Sequence, residues 1–155
     1  MNHKLKSYIL LTRLNKPIGS LLLMFPCLWG LIAACASLSD IKQNMFLFII
    51  FIFGSFVMRS AGCVINDIFD RNIDVKVERT KFRPLANKAI PLHDAILIFI
   101  TLSLIGLCIL LSLNLLSIKI GVVAFFLLII YPLTKRITHW PQLFLAITFN
   151  IGVLI

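Results

Sequence analysis

Long apolar runs decide what this chain can become. They cover residues 18–38, 46–65, 95–113 and 118–133, with a fifth over 143–155. About 20 apolar residues in a helix cross a hydrocarbon core roughly 30 Å thick. In lipid every backbone polar group needs an internal partner, which leaves helices as the spanning form for runs of this length. The expected fold is therefore all-α: a polytopic transmembrane helical bundle with four full spans and a truncated fifth, read as one membrane domain over residues 1–155. The fifth run breaks off after about 13 residues, so Ile155 reads as an interruption and not as a designed end.

Charge supports the same reading. The net charge of +9 suggests nucleic acid on its face, yet only 14% of residues are charged and 60% are hydrophobic. The basic residues sit in short connections beside the apolar runs, which argues against nucleic acid. Lys4, Lys6, Arg13 and Lys16 precede the first run; the 66–94 connection carries Arg71, Lys76, Arg79, Lys81, Arg83 and Lys88; the 134–142 connection carries Lys135 and Arg136. The intervening connections are nearly neutral. The positive-inside rule puts the N-terminus and both basic connections in the cytoplasm.

The first run resembles a signal peptide, and Ile32-Ala33-Ala34-Cys35 looks like a lipoprotein cleavage box. The run is too long for a signal core and more spans follow, so it is expected to remain as a helix. Cys27, Cys35, Cys63 and Cys108 lie in or beside apolar runs with no C-x-x-C spacing. They read as small packing residues, and neither a zinc site nor a disulfide framework is expected.

Five of the six acidic residues fall between Asp67 and Asp94. Asp67, Asp70 and Asp74 are spaced i, i+3, i+7, which at about 100° per residue places them on one helical face at the cytoplasmic end of the second span. A solvated face would carry Lys at i+4; here the i+4 neighbour of Asp70 is Asp74. Such a cluster makes sense around a divalent cation, and an oxygen-only donor set suits Mg²⁺. A plain mixed-charge loop is the alternative. Asn66 reaches the same concavity. Downstream, Arg79, Lys81 and Arg83 offer donors for phosphate oxygens or serve as interfacial anchors. Arg59 lies inside the second span, two turns before Asp67, where a charge is costly; it is either paired or in contact with an anionic substrate group.

The stretch Arg59-Ser60-Ala61-Gly62-Cys63-Val64-Ile65-Asn66-Asp67-Ile68-Phe69-Asp70-Arg71-Asn72-Ile73-Asp74, with Glu78-Arg79-Thr80-Lys81-Phe82-Arg83-Pro84-Leu85 after it, resembles the first aspartate-rich motif of the UbiA family of membrane prenyltransferases. Arg13-Leu14-Asn15-Lys16-Pro17-Ile18-Gly19 resembles the start of that family's first span. Residues 131–142, beginning Tyr131-Pro132-Leu133-Thr134-Lys135-Arg136, resemble the loop after its fourth. Together the three stretches are similar to the 4-hydroxybenzoate polyprenyltransferases of ubiquinone biosynthesis. Asn15 stands where Asp is common in the family, and Ala146 and Asn150 where glycines are expected. The family's second aspartate-rich motif lies in its C-terminal half, beyond this sequence.

The resemblance implies a multi-pass protein of the cell inner membrane that transfers a polyprenyl group from polyprenyl diphosphate to the ring of 4-hydroxybenzoate, with Mg²⁺ bridging carboxylates and diphosphate. Asp67 and Asp70 are then expected as main metal ligands, supported by Asp74 and Asn66. Lys81, Arg83 and Lys135 are expected diphosphate contacts. Arg59 and Arg136 contact either the acceptor carboxylate or the diphosphate. Tyr131 stabilises the cation through its ring or anchors the interface. His93 and His139 read as interfacial polar residues. Rival readings are the same chemistry on a naphthoate, homogentisate or haem acceptor, a non-catalytic remnant, and a small membrane carrier or assembly protein. The oligomeric state is left open.

Overall fold

The computed structural model describes residues 3–137 and 140–155, and all the regular secondary structure among them is helical. Helix α1 spans His3–Thr12, α2 Ile18–Ala34, α3 Leu38–Gln43, α4 Met45–Asp74, α5 Leu92–Leu111, α6 Leu115–Ile137 and α7 Pro141–Asn150, followed by a 3-10 turn at Ile151–Leu154. Three of these, α4, α5 and α6, are long and apolar enough to cross a membrane, and α2 and the 142–154 stretch are shorter apolar helices. The chain is thus a helical membrane bundle.

The run at 18–38 does not form one helix. It stops at Ala34 because Ser37 starts a new one: the Asp40 amide donates to Ser37 Oγ and the Ser37 amide to Asp40 Oδ2, a reciprocal capping box. At 1.5 Å per residue α2 is about 26 Å long, near the lower limit for a span. The expected neutral loop after it contains the short helix α3.

The second run departs in the opposite direction. Helix α4 continues for 30 residues to Asp74, about 45 Å, so its last turns project beyond a ~30 Å apolar layer. The 66–74 stretch, expected to present its carboxylates on one helical face, is helix, and the connection expected over 66–94 narrows to the turn-rich 75–91 segment.

Helix α4 is the centre of the molecule and packs against α1, α2, α5 and α6. One buried cluster holds the connections at its C-terminal end: Leu11 of α1, Val64 of α4, Leu85 and Ile90 of the connection, and Ala95 of α5. Tyr8 Oη donates to Asp94 Oδ2 at 3.0 Å, tying α1 to the start of α5. That bond to the carboxylate raises the Tyr8 phenol above its ordinary pKa. Deeper in the bundle, Met58 packs against Gly106, where any side chain would strike its sulfur. By contrast Leu97, Leu104 and Leu111 of α5 face outward, as lipid-contacting residues do.

Candidate active site

A cavity of about 1030 Å³ runs along α4 between α2, α5, α6 and α7. Its lining from α4 includes Gly54, Met58, Gly62, Asn66, Asp70 and Asp74. These residues are spaced by four, a row that winds round the helix by about 40° per step. The wall changes along its length from small and apolar to oxygen-rich. Phe99, Leu107, Phe125 and Leu128 continue the apolar part.

Asp67 is absent from this wall. One residue further round the helix than Asn66, it points into protein and is 1% exposed. Its Oδ1 accepts from Arg13 Nη2 at 2.8 Å and from Arg83 Nη1 at 3.1 Å. Arg83 Nη1 also reaches Asp74 Oδ2 at 2.7 Å. Thr80 Oγ1 donates to the Asp74 carbonyl at 3.1 Å and closes the end of α4. The result is a buried polar lattice that fastens the residue after α1 and the 75–91 connection to the end of α4. Arg13 itself has φ 55°; it ends α1 in the left-handed conformation usually left to glycine. Arg13, Arg79 and Arg83 all line the cavity, beside Asp70 and Asp74.

Arg59 lines the same cavity two turns deeper, with its Cζ 5.3 Å from the Phe149 ring centroid. Seven residues separate it from Asn66, so it shares the Asn66 face and is turned about 80° from Asp67. No described carboxylate ion-pairs with it. Tyr131 of α6 lines the same wall.

Residues 23–155 match the model of the UbiA prenyltransferase family. The chain belongs to that family. It is 47% identical over 150 residues to a protein named 4-hydroxybenzoate octaprenyltransferase from Shewanella oneidensis, covering 97% of this chain and 51% of the relative. Similar proteins of the same name are found in Shewanella piezotolerans (47% over 146 residues, 94% and 50%) and Vibrio atlanticus (45% over 147 residues, 95% and 50%). The chain spans about half the length of the curated relatives it matches. No solved structure matches it.

The expected site of this family member is gathered only in part. Asn66, Asp70, Asp74, Arg83, Arg59 and Tyr131 meet on one cavity. The expected trio Asp67, Asp70 and Asp74 does not converge: among the described residues no three acidic, histidine or cysteine side chains are placed to hold a metal ion by themselves. Asn66, Asp70 and Asp74 line the cavity, whereas Asp67, within about 20° of Asp74 in helical phase, is taken up by Arg13 and Arg83. Lys81 also misses the cavity; its Nζ pairs with Glu78 at 2.6 Å on the surface and lies over the Phe82 ring. His93 is exposed and lies 3.0 Å from Asp94. The side chains of Lys135 and Arg136, and His139 entirely, lie outside the described residues.

Sequence reasoning missed Arg13 as a cavity residue. The signal was faint: it is one of four basic residues before the first run, set apart by opening the family-like stretch Arg13–Gly19.

Proposed function

We propose that the full-length protein transfers a polyprenyl group from polyprenyl diphosphate to the ring of 4-hydroxybenzoate, in an Mg²⁺-dependent step of ubiquinone biosynthesis at the cell inner membrane. One observation carries the reading: a single cavity is apolar through the depth of the bundle and, at one end, sets Asn66, Asp70 and Asp74 beside Arg13, Arg79 and Arg83. A long apolar tail with a diphosphate head has that same division. The names of the relatives supply the acceptor.

The donor set suits Mg²⁺. This ion is bound through one or two carboxylates together with substrate phosphate oxygens and water, and Asp70, Asp74 and the Asn66 side-chain carbonyl provide oxygen donors along one face. Bound there, it would neutralise charge on the leaving diphosphate. The arginines grip the remaining phosphate oxygens. Asp67 holds two of them, Arg13 and Arg83, in place before substrate arrives, so less reorganisation remains at the moment of reaction.

Arg59 receives the carboxylate of the acceptor. It lies about 10 Å along the helix from Asn66, at 1.5 Å per residue, which leaves room for one aromatic ring between the two. The allylic C–O bond of the donor breaks with its electron pair going to the diphosphate oxygen. A ring carbon ortho to the hydroxyl forms the new C–C bond, and the ring then loses its proton. The apolar walls keep water from capturing the allylic cation.

In native membranes, Asp70→Asn should lower transfer of labelled prenyl groups to 4-hydroxybenzoate by more than about 1000-fold while insertion is unchanged, because metal-assisted charge neutralisation is worth several kcal/mol. EDTA should stop the unaltered protein, with recovery on adding Mg²⁺. Full turnover in EDTA would sink the metal assignment. Competition by a naphthoate or homogentisate that outruns 4-hydroxybenzoate would reassign the acceptor.

A further inference from the structure

The next step rests on the reading of the cavity's polar end as the seat of the diphosphate. Arg13 belongs to that end, yet it sits on none of the long apolar helices. It follows α1, at the head of the short stretch that leads into α2. Its backbone is in the left-handed region, with φ 55°. A residue with a side chain keeps that conformation only where its surroundings hold it. Downstream the hold is plain. Arg13 Nη2 meets Asp67 Oδ1 at 2.8 Å, and the Arg13 carbonyl accepts from the Lys16 amide at 2.9 Å.

Upstream the hold comes through α1. That helix has 10 residues, too few to persist by itself in water, and its Leu5 and Leu10 are exposed. It is fixed at two points near the start of α5. Leu11 is fully enclosed, in the cluster that holds Val64, Leu85, Ile90 and Ala95. The Tyr8 ring packs against the same cluster, and its Oη donates to Asp94 Oδ2 at 3.0 Å. Tyr8 and Leu11 are three residues apart, so they share one side of α1. An apolar contact has no direction, and Leu11 by itself would let α1 pivot. The hydrogen bond is directional and removes that freedom. The other Asp94 oxygen lies 3.0 Å from His93 Nε2. Helix α5, which carries Asp94, packs along α4, which carries Asp67. Arg13 is therefore held from both sides by one frame.

We infer that the Tyr8–Asp94 hydrogen bond sets the position from which Arg13 reaches the cavity, and that Tyr8 and Asp94 are positioning residues for binding of the prenyl diphosphate. Neither side chain lines the cavity, so both act on the substrate through Arg13.

The test titrates prenyl diphosphate in transfer to 4-hydroxybenzoate, using the full-length protein in its membrane. Tyr8→Phe keeps the ring in the cluster and removes only the donor. It should raise KM for the diphosphate roughly 3- to 10-fold, the net range of one internal hydrogen bond. The kcat at saturating donor and the KM for 4-hydroxybenzoate should stay near their starting values. An unchanged diphosphate KM overturns the inference. So does a loss confined to kcat, which a smaller folded fraction alone would give. Arg13→Gln should raise the same KM by more than Tyr8→Phe does, and adding Tyr8→Phe to it should raise KM no further. A full additional rise in that background places the effect of Tyr8 elsewhere and overturns the inference. Asp94→Ala should also raise this KM, and adding Tyr8→Phe to it should change nothing more; multiplying effects rule out the shared bond as the cause. If Arg13→Gln itself leaves the diphosphate KM unchanged, the diphosphate reading of the polar end fails, and this inference with it. If Arg13→Gln raises that KM and Tyr8→Phe does not, only the role of Tyr8 and Asp94 is lost.

Discussion

Two arginines on one cavity live under opposite conditions. Arg83 has two carboxylates, Asp67 and Asp74, at 3.1 and 2.7 Å. Arg59 has the Phe149 ring and the backbone of Gly19 packed against it, and no described carboxylate. The first is a strut whose charge is already balanced by the fold. The second has no counter-charge among the described residues. A cation in a bundle does not by itself mark a binding site; the presence or absence of an internal counter-charge separates the two kinds.

That contrast can be broken most directly at Asp67. Asp67→Ala would leave Arg13 and Arg83 facing a 1%-exposed position without their anion. Removing one partner of a buried pair costs about 3–5 kcal/mol, which should show as a large drop in thermal stability in detergent. Arg59→Gln should cost far less, since no ion pair is lost; equal losses would erase the distinction. Arg83→Lys tests the strut more gently. A lysine keeps the charge and loses the planar fork that meets two carboxylates, so about 1–2 kcal/mol of stability should go, with a higher KM for the prenyl diphosphate. The smallest effect is expected at Lys81. Its pair with Glu78 is on the surface, with Glu78 87% exposed; such pairs contribute about 0–1 kcal/mol. Lys81→Ala should leave both melting temperature and diphosphate KM near their starting values. A large rise in that KM would restore Lys81 to the site and show that the 75–91 connection moves when substrate binds.

The legible parts of this molecule are those written in local pattern. Apolar runs mark the helices, and the crowding of Asp67, Asp70 and Asp74 marks the functional end of α4. The capping box at Ser37 and Asp40, which explains why the first run ends early, emerged only from the structure. Less legible was the length of α4. Asn66 to Asp74 is polar enough to read as a loop, and it stays helical because Arg83, Arg13 and Thr80 satisfy its side chains and its last turn.

Which carboxylate faces the cavity could not be read from spacing. Asp67, Asp70 and Asp74 fit one face, and Asn66, Asp70 and Asp74 fit another about as well, because i+3 and i+4 both approximate a turn. The choice depends on where α1 and the 75–91 connection pack, and both are held by contacts between residues far apart in sequence. The packing of Arg59 against Gly19 is the clearest case, since the two are 40 positions apart in the chain. By itself the sequence determined a helical membrane protein, its family and the end of α4 that carries charge, because burial in lipid and helical periodicity are local demands. Only the tertiary structure decided that Asp67 serves the arginines, that Arg13 joins the site and that Arg59 packs against Gly19, because those roles come from what packing places opposite each side chain.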